Sequence, residues 1–324
     1  MRYRSIASVA LLVPALLSGQ WKPARTPDGQ PDLQGIWTNA TLTPLQRPAD
    51  LGNKQYFTED EASAFEKQRI QQNDVDRVEG ARGEADLARR AYNNVWFDRG
   101  NHVVQSRRTS LIVDPPDGRV PALTPEAQRR FAAVQAHGKE HPADGPEDRY
   151  LTERCILFGA TGPPMLPEPY NNNYQIVQGP GYVAIMAEMN HDVRLIPIDG
   201  RPHLRSGMAQ WKGNSRGRWE GDTLIVDTTD FRFNDQSRFG VGYLSGLTDQ
   251  NLHVTERLRR TDANTILYQA TVDDPTIYTK PWTVEISMSK RDDRIFEYAC
   301  HEGNYGMSGI LSGARAEEKS GHTP

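Results

Sequence analysis

With 324 residues, 38 Lys and Arg against 42 Asp and Glu, and a formal net charge of −4, the chain carries no electrostatic footprint for nucleic acid. Its hydrophobic residues, 37% of the total, suffice for the core of one large domain or two small ones and fall short of a membrane protein.

Arg2 and Arg4 precede an apolar run from Ile6 to Leu17 that ends in Ser18-Gly19, the pattern of a secretory signal peptide. The run is broken by Pro14 and too short to cross a bilayer, which needs roughly 20 apolar residues, so no transmembrane segment is expected. Gln20 stands where lipoprotein acylation requires a cysteine. The expectation is a free periplasmic or extracellular protein, cleaved after residue 19, with a net charge near −6. Export makes a disulfide between Cys155 and Cys300, the two cysteines of the chain, the default pairing. It would close a loop of 145 residues and stabilise by roughly 2–5 kcal/mol. Two buried free thiols or a catalytic thiol are the alternatives.

Residues 20–56 are dense in Pro, Gly, Gln and Asp and read as an extended strap over the domain surface. A peripheral layer, 57–150, follows, with helices and a β-hairpin. Thr58-Glu59-Asp60-Glu61 is a capping box that opens a helix reaching about Gln72. A second helix is expected over Glu84 to Tyr92, and Thr124-Pro125-Glu126 opens a third. Ser110 to Val113 reads as a strand, stopped by the turn Asp114-Pro115-Pro116-Asp117-Gly118.

Strand patterns dominate 151–312, ahead of a polar tail at 313–324. Eight are expected: Tyr174–Gln178, Tyr182–Ala187, Val193–Ile198, Thr223–Thr229, Leu252–Arg260, Thr265–Val272, Trp282–Ser289 and Ile295–Cys300. Short turns separate most of them and no long helix makes parallel crossovers. Trp282, Val284, Ile286 and Met288 share one face, as do Ile266, Tyr268, Ala270 and Val272. A mainly β fold follows, an antiparallel meander closing into a lipocalin-like barrel of about eight strands, with room for one small ligand. An open sheet or sandwich is the runner-up.

Candidate site residues fall into several groups. Glu188, His191, Asp192 and Arg194 put carboxylate, imidazole and guanidinium around one turn, a combination suited to acid–base work or to a turn tied down by ion pairs. His301 and Glu302 follow Cys300 at the expected end of a strand. Were both groups to meet at one rim, His191 and His301, with a carboxylate, would offer a divalent metal site. Glu256 falls in phase with Leu252, Val254 and Leu258 and points toward the apolar side, paired with Arg194 or Arg257 or with a raised pKa. Tyr170, Asn172 and Tyr174 offer aromatic faces and amide groups for a ligand, and Arg201 to Arg216 a basic loop. Tyr268, Trp282, Met288 and Phe296 would line the barrel. There is no phosphate-binding glycine loop, Gly-x-Ser-x-Gly elbow or His-Glu-x-x-His.

The tripeptides Gly35-Ile36-Trp37 and Gly217-Arg218-Trp219 resemble the Gly-x-Trp that opens the barrel of lipocalin-like proteins. Across nearly the whole mature chain, Arg25-Thr26-Pro27-Asp28-Gly29, Arg108 to Gly118, Tyr170 to Asn173 and Cys300 to Asn304 resemble a large group of uncharacterised exported bacterial proteins. That resemblance implies export and transfers no activity. Three functions stand open: a barrel that binds a small, partly apolar molecule, an acid–base or metal-assisted enzyme (hydrolase, lyase or isomerase) with its site at the rim, and a cell-envelope interaction protein.

Overall fold

A computed structural model describes residues 21–77, 93–204, 208–232 and 251–321. The expected signal peptide, the helix expected over 84–92 and Arg205 lie outside these residues. In chain order the strands are β1 (Gly35–Thr38), β2 (Ile112–Asp114), β3 (Asn173–Gly179), β4 (Tyr182–Ala187), β5 (Asp192–Pro197), β6 (Asn214–Glu220), β7 (Thr223–Thr229), β8 (His253–Asp262), β9 (Thr265–Asp273) and β10 (Trp282–Arg291). Nine of them form a nearly closed antiparallel barrel in the order β5-β4-β3-β1-β10-β9-β8-β7-β6, and β2 pairs with β10 off this path. The mainly β barrel expected from the alternation is the observed fold, with nine strands where about eight were read.

The strands form where the alternation put them because each has one apolar face to bury. Trp282, Val284, Ile286 and Met288 of β10 and Ile266, Tyr268, Ala270 and Val272 of β9 are all fully buried. Two strands escaped the pattern. β1 is only four residues long and lies inside the expected strap, yet it joins β3 to β10 through ladders on both sides. β6, Asn-Ser-Arg-Gly-Arg-Trp-Glu, has no apolar alternation and is held by its hairpin with β7. Conversely, Ile295–Cys300 is not a strand. It has no ladder partner, and Phe296 N–H donates to the Glu188 carboxylate instead.

An odd number of strands in antiparallel order leaves the end strands β5 and β6 running the same way, so their join needs a crossover. Residues 198–213 supply it. Gly217 lets the two strands approach, since a Cβ there would sit 2.6 Å from Ile198 Cγ2 and 2.9 Å from Ile196 Cγ2. Side chains rather than a backbone ladder bridge this seam: Lys212 pairs with Asp192, and Arg216 Nε donates to Pro202 O at 3.0 Å.

Three α-helices lie outside the barrel among the described residues: α1 (Glu59–Asn73), α2 (Pro125–Glu140) and α3 (Tyr305–Lys319). The caps of the first two are those read from sequence: Thr58 and Glu61 form the capping box, and Thr124 Oγ1 accepts from Ala127 N–H. Helix α3 begins ahead of the segment expected as a polar tail, 313–324, and runs into it. Its glycines, Gly306, Gly309 and Gly313, cost helix propensity, and the Asn304 side chain caps it by accepting from Met307 N–H. No described helix is long and apolar enough to cross a membrane.

The strap is fastened by Arg47, which is buried and donates from Nε to Thr109 Oγ1 at 2.9 Å and from Nη2 to Pro116 O at 3.1 Å. Its backbone N–H donates to Gly118 O in the proline-rich turn. Cys155 and Cys300 are joined in a disulfide that ties the segment before β3 to the segment before α3.

Candidate functional site

The barrel interior holds the first group of polar side chains. Glu256, on the inward face of β8, is 0% exposed, and Arg194, on β5, is 6% exposed. Their contact is bidentate, Nη1 to Oε2 at 2.5 Å and Nη2 to Oε1 at 2.9 Å. Tyr268 Oη donates to Glu256 Oε1 at 2.8 Å and accepts from Met165 N–H at 2.9 Å. Tyr174 Oη donates to Ala160 O and accepts from Asn39 Nδ2, which also donates to Met165 O. Burial pushes both phenols well above their ordinary range, and the charge of Glu256 adds to this at Tyr268. Burial disfavours the Arg194 cation, but the facing carboxylate outweighs it and raises its pKa. Both Glu256 oxygens are therefore taken, by a guanidinium and a phenol. This network locks the segment 160–165 onto the barrel and offers no free acid or base.

The side chains expected to line a lumen are core. Trp282, Tyr268 and Met288 are fully buried in one contiguous cluster with Trp37 and Tyr174, and Phe296 lies outside the barrel, 72% exposed.

At the rim, the two sequence segments do approach each other, through His191 Nδ1 and Tyr298 O at 3.0 Å. The groups nevertheless engage different partners. Glu188 is buried and accepts from Asn173 Nδ2 at 2.6 Å and from Phe296 N–H at 3.1 Å. Asp192 pairs with Lys212. His301 and Glu302 are exposed. Among the described residues no group of three or more His, Cys, Asp or Glu side chains is placed to hold a metal ion. Tyr170 stacks on Tyr298, with ring centroids 6.3 Å apart. Asn172 is buried and shapes its own turn, donating to Asp98 O and Glu168 O and accepting from Glu168 N–H.

The basic loop is likewise tied down within the described residues. Arg201 pairs with Asp199, and Arg232 covers the Trp211 ring. His203 Nε2 meets Asp227 at 2.8 Å, and His253 Nε2 meets the other oxygen of the same carboxylate. Burial alone would raise the Asp227 pKa, but the hydrogen bonds from His253 and His203 lower it. Asn214 Oδ1 faces His203 Nδ1 at 3.2 Å and accepts from Leu204 N–H, so the cluster pins the crossover to the outside of β6 and β7.

A pocket with the features of a binding site lies on the barrel flank instead. It is a half-open recess of ≈ 490 Å³, lined by the strap at 41–46, by Arg69 and Asn73 of α1, by Arg99, by Leu111 and by the segment 166–169. Leu42, Leu111 and Leu166 make an apolar wall, and all three are buried. Glu168 sits in this wall between Pro167 and Pro169. Burial pushes its carboxyl up to about 7, against the opposing effect of a hydrogen bond from Gly159 N–H. Burial lowers the pKa of Arg99, whose guanidinium lies 3.8 Å from the Phe97 ring centroid.

None of Glu168, Arg99 and Arg69 was singled out from sequence. The available signal was local, a glutamate fixed between two prolines in a stretch otherwise apolar. No profile of a protein family matches the chain, and neither a curated protein nor a solved structure does.

Proposed function

We propose that this protein binds a small, partly apolar molecule in the flank pocket, beside the barrel rather than inside it. The observation that carries this reading is the pocket itself, ≈ 490 Å³ with leucine walls and a few convergent polar groups. Ligand sites commonly span about 300–1,000 Å³ with that composition. The barrel then serves as the scaffold: its filled interior holds rigid the segment 160–169 that supplies one wall. Export is part of the proposal, supported by Arg2, Arg4 and the apolar run before Gln20 and by a disulfide compatible with an oxidising compartment.

One observation favours a second reading, an enzyme that works at the same place. A carboxyl with a pKa of about 7 is poised to give or take a proton near neutral pH, which makes Glu168, rather than His191 or Glu256, the acid–base candidate. Differential scanning fluorimetry of the mature protein against a small-molecule library, repeated with Leu45→Trp to fill the pocket, tests the first reading. Ligands that raise the melting temperature of the wild type and not of Leu45→Trp are the expected result. Ligands that stabilise both proteins equally would move the site elsewhere. Turnover of a bound ligand, lost in Glu168→Gln while binding persists, would establish the enzyme.

A further inference from the structure

The flank pocket contains two guanidinium groups and one carboxyl, and they do not pair. Arg99 donates from Nη1 to the Asn73 carbonyl at 3.3 Å and rests on Phe97. Arg69 lies over the Phe65 ring at 5.3 Å. Neither has a carboxylate partner among the described residues, although Glu168 lines the same pocket. The charged groups contributed by each wall are Arg69 from α1, Arg99 from the segment before Gly100, and Glu168 from 166–169, while the strap at 41–46 contributes none. The Tyr174 phenol lies beyond Glu168 on β3 and is neutral. The described lining residues therefore carry a net positive charge whether or not Glu168 is ionised.

We propose that the ligand is a small amphipathic acid, an apolar body bearing one carboxylate, with the carboxylate held by Arg99 and Arg69 and the body against Leu42, Leu45, Leu111 and Leu166. The proposal rests on the pocket being the ligand site. A guanidinium that is partly withdrawn from water, as Arg69 and Arg99 are, gains from an anion that meets its planar fork of donors. A cation would face two like charges. A fully polar anion would leave the leucine wall in contact with water, so the apolar body and the carboxylate are required together. Glu168 sharpens the selection: in its neutral form it is a hydrogen-bond donor to the ligand carboxylate, and in its ionised form it repels it. Binding should accordingly be tighter below pH 7 than above it.

The experiment is isothermal titration calorimetry of the mature, disulfide-bonded protein with octanoate, octanol and inorganic phosphate at pH 6 and pH 8. Octanoate is expected to bind at least about tenfold more tightly than octanol, and more tightly at pH 6 than at pH 8, with phosphate silent. Arg69→Gln, on the helix surface, and Arg99→Gln should each weaken octanoate about tenfold and leave octanol unchanged. Glu168→Gln should remove the difference between the two pH values. Equal binding of octanoate and octanol, or loss of both in the arginine variants, would overturn the acid selectivity while leaving the pocket as a ligand site. Binding of octanoate that survives Leu45→Trp undiminished would overturn the pocket reading itself. No binding of either compound would overturn the inference for this acid class, and the library screen then decides the pocket reading separately.

Discussion

The barrel interior and the flank pocket both take a carboxylate and a guanidinium away from water, and they resolve the cost in opposite ways. Inside the barrel, Arg194 and Glu256 meet in a two-pronged contact and Tyr268 donates a further hydrogen bond to the carboxylate. Each charge is matched, and the result is a structural tie. In the pocket, Glu168 has no cation against it among the described residues and answers burial by holding its proton up to about pH 7, while Arg99 and Arg69 have no carboxylate partner among those residues. Charge left unmatched in such a recess is the feature on which the proposed ligand site rests. The lesson is that a buried ionisable group marks a site only when its own fold has not already satisfied it.

The largest expected effect tests the satisfied half of that contrast. Arg194→Met leaves Glu256 buried without its cation and should cost about 3–5 kcal/mol of stability, read as a fall in the urea midpoint. Arg194→Met combined with Glu256→Leu removes both charges and should recover most of the loss, because the desolvation cost goes with the pair. If the double variant is as unstable as the single one, the pair is contributing more than mutual neutralisation.

The unsatisfied half predicts a smaller effect with a definite sign. The Glu168 pKa is raised in the folded protein, from an ordinary 4.5 to about 7, so the native state binds the proton more tightly than the unfolded chain. Its contribution is fully present below about pH 4.5 and is lost as pH rises through about 7. Glu168→Gln should flatten that part of the stability profile by on the order of 3 kcal/mol. Urea midpoints of both proteins between pH 4.5 and 8 measure it. A wild-type profile parallel to that of the variant would return Glu168 to the ordinary range and remove the contrast.

The Lys212–Asp192 pair at the barrel seam sets the low end of the same scale. Both side chains are partly exposed, so Lys212→Ala should cost below about 1 kcal/mol, and less in high salt. A larger loss would mean that the pair holds the seam between β5 and β6 closed rather than decorating it.

How much was legible follows from where the information resides. Alternation such as Trp282, Val284, Ile286 and Met288 is written in consecutive residues, and so is a capping box such as Thr58 with Glu61. Both survived into the structure. Strand β1 was not legible, because four residues show no period and its order comes from β3 and β10, both remote in sequence. The end of the chain misled in both directions: Ile295–Cys300 has strand-like residues but no partner, and the glycines of α3 hide a helix that Asn304 caps. Among site residues, the phase of Glu256 correctly pointed inward, whereas its choice of Arg194 over Arg257 depended on barrel closure. Glu168 gave only its two flanking prolines.

By itself the sequence determined what short-range physics writes: the antiparallel β class, most strand positions, two helix starts and the inward face of Glu256; it offered the pairing of Cys155 with Cys300 as the default, which the structure bears out. The tertiary structure alone decided the ninth barrel strand, the filled interior, and the placing of Glu168, Arg99 and Arg69 around one pocket. The physical reason is distance along the chain. Propensity and periodicity act over a few residues, but burial, and with it the protonation of Glu168, is set by walls from the strap, α1 and the entry to β3, which meet only when the barrel is formed.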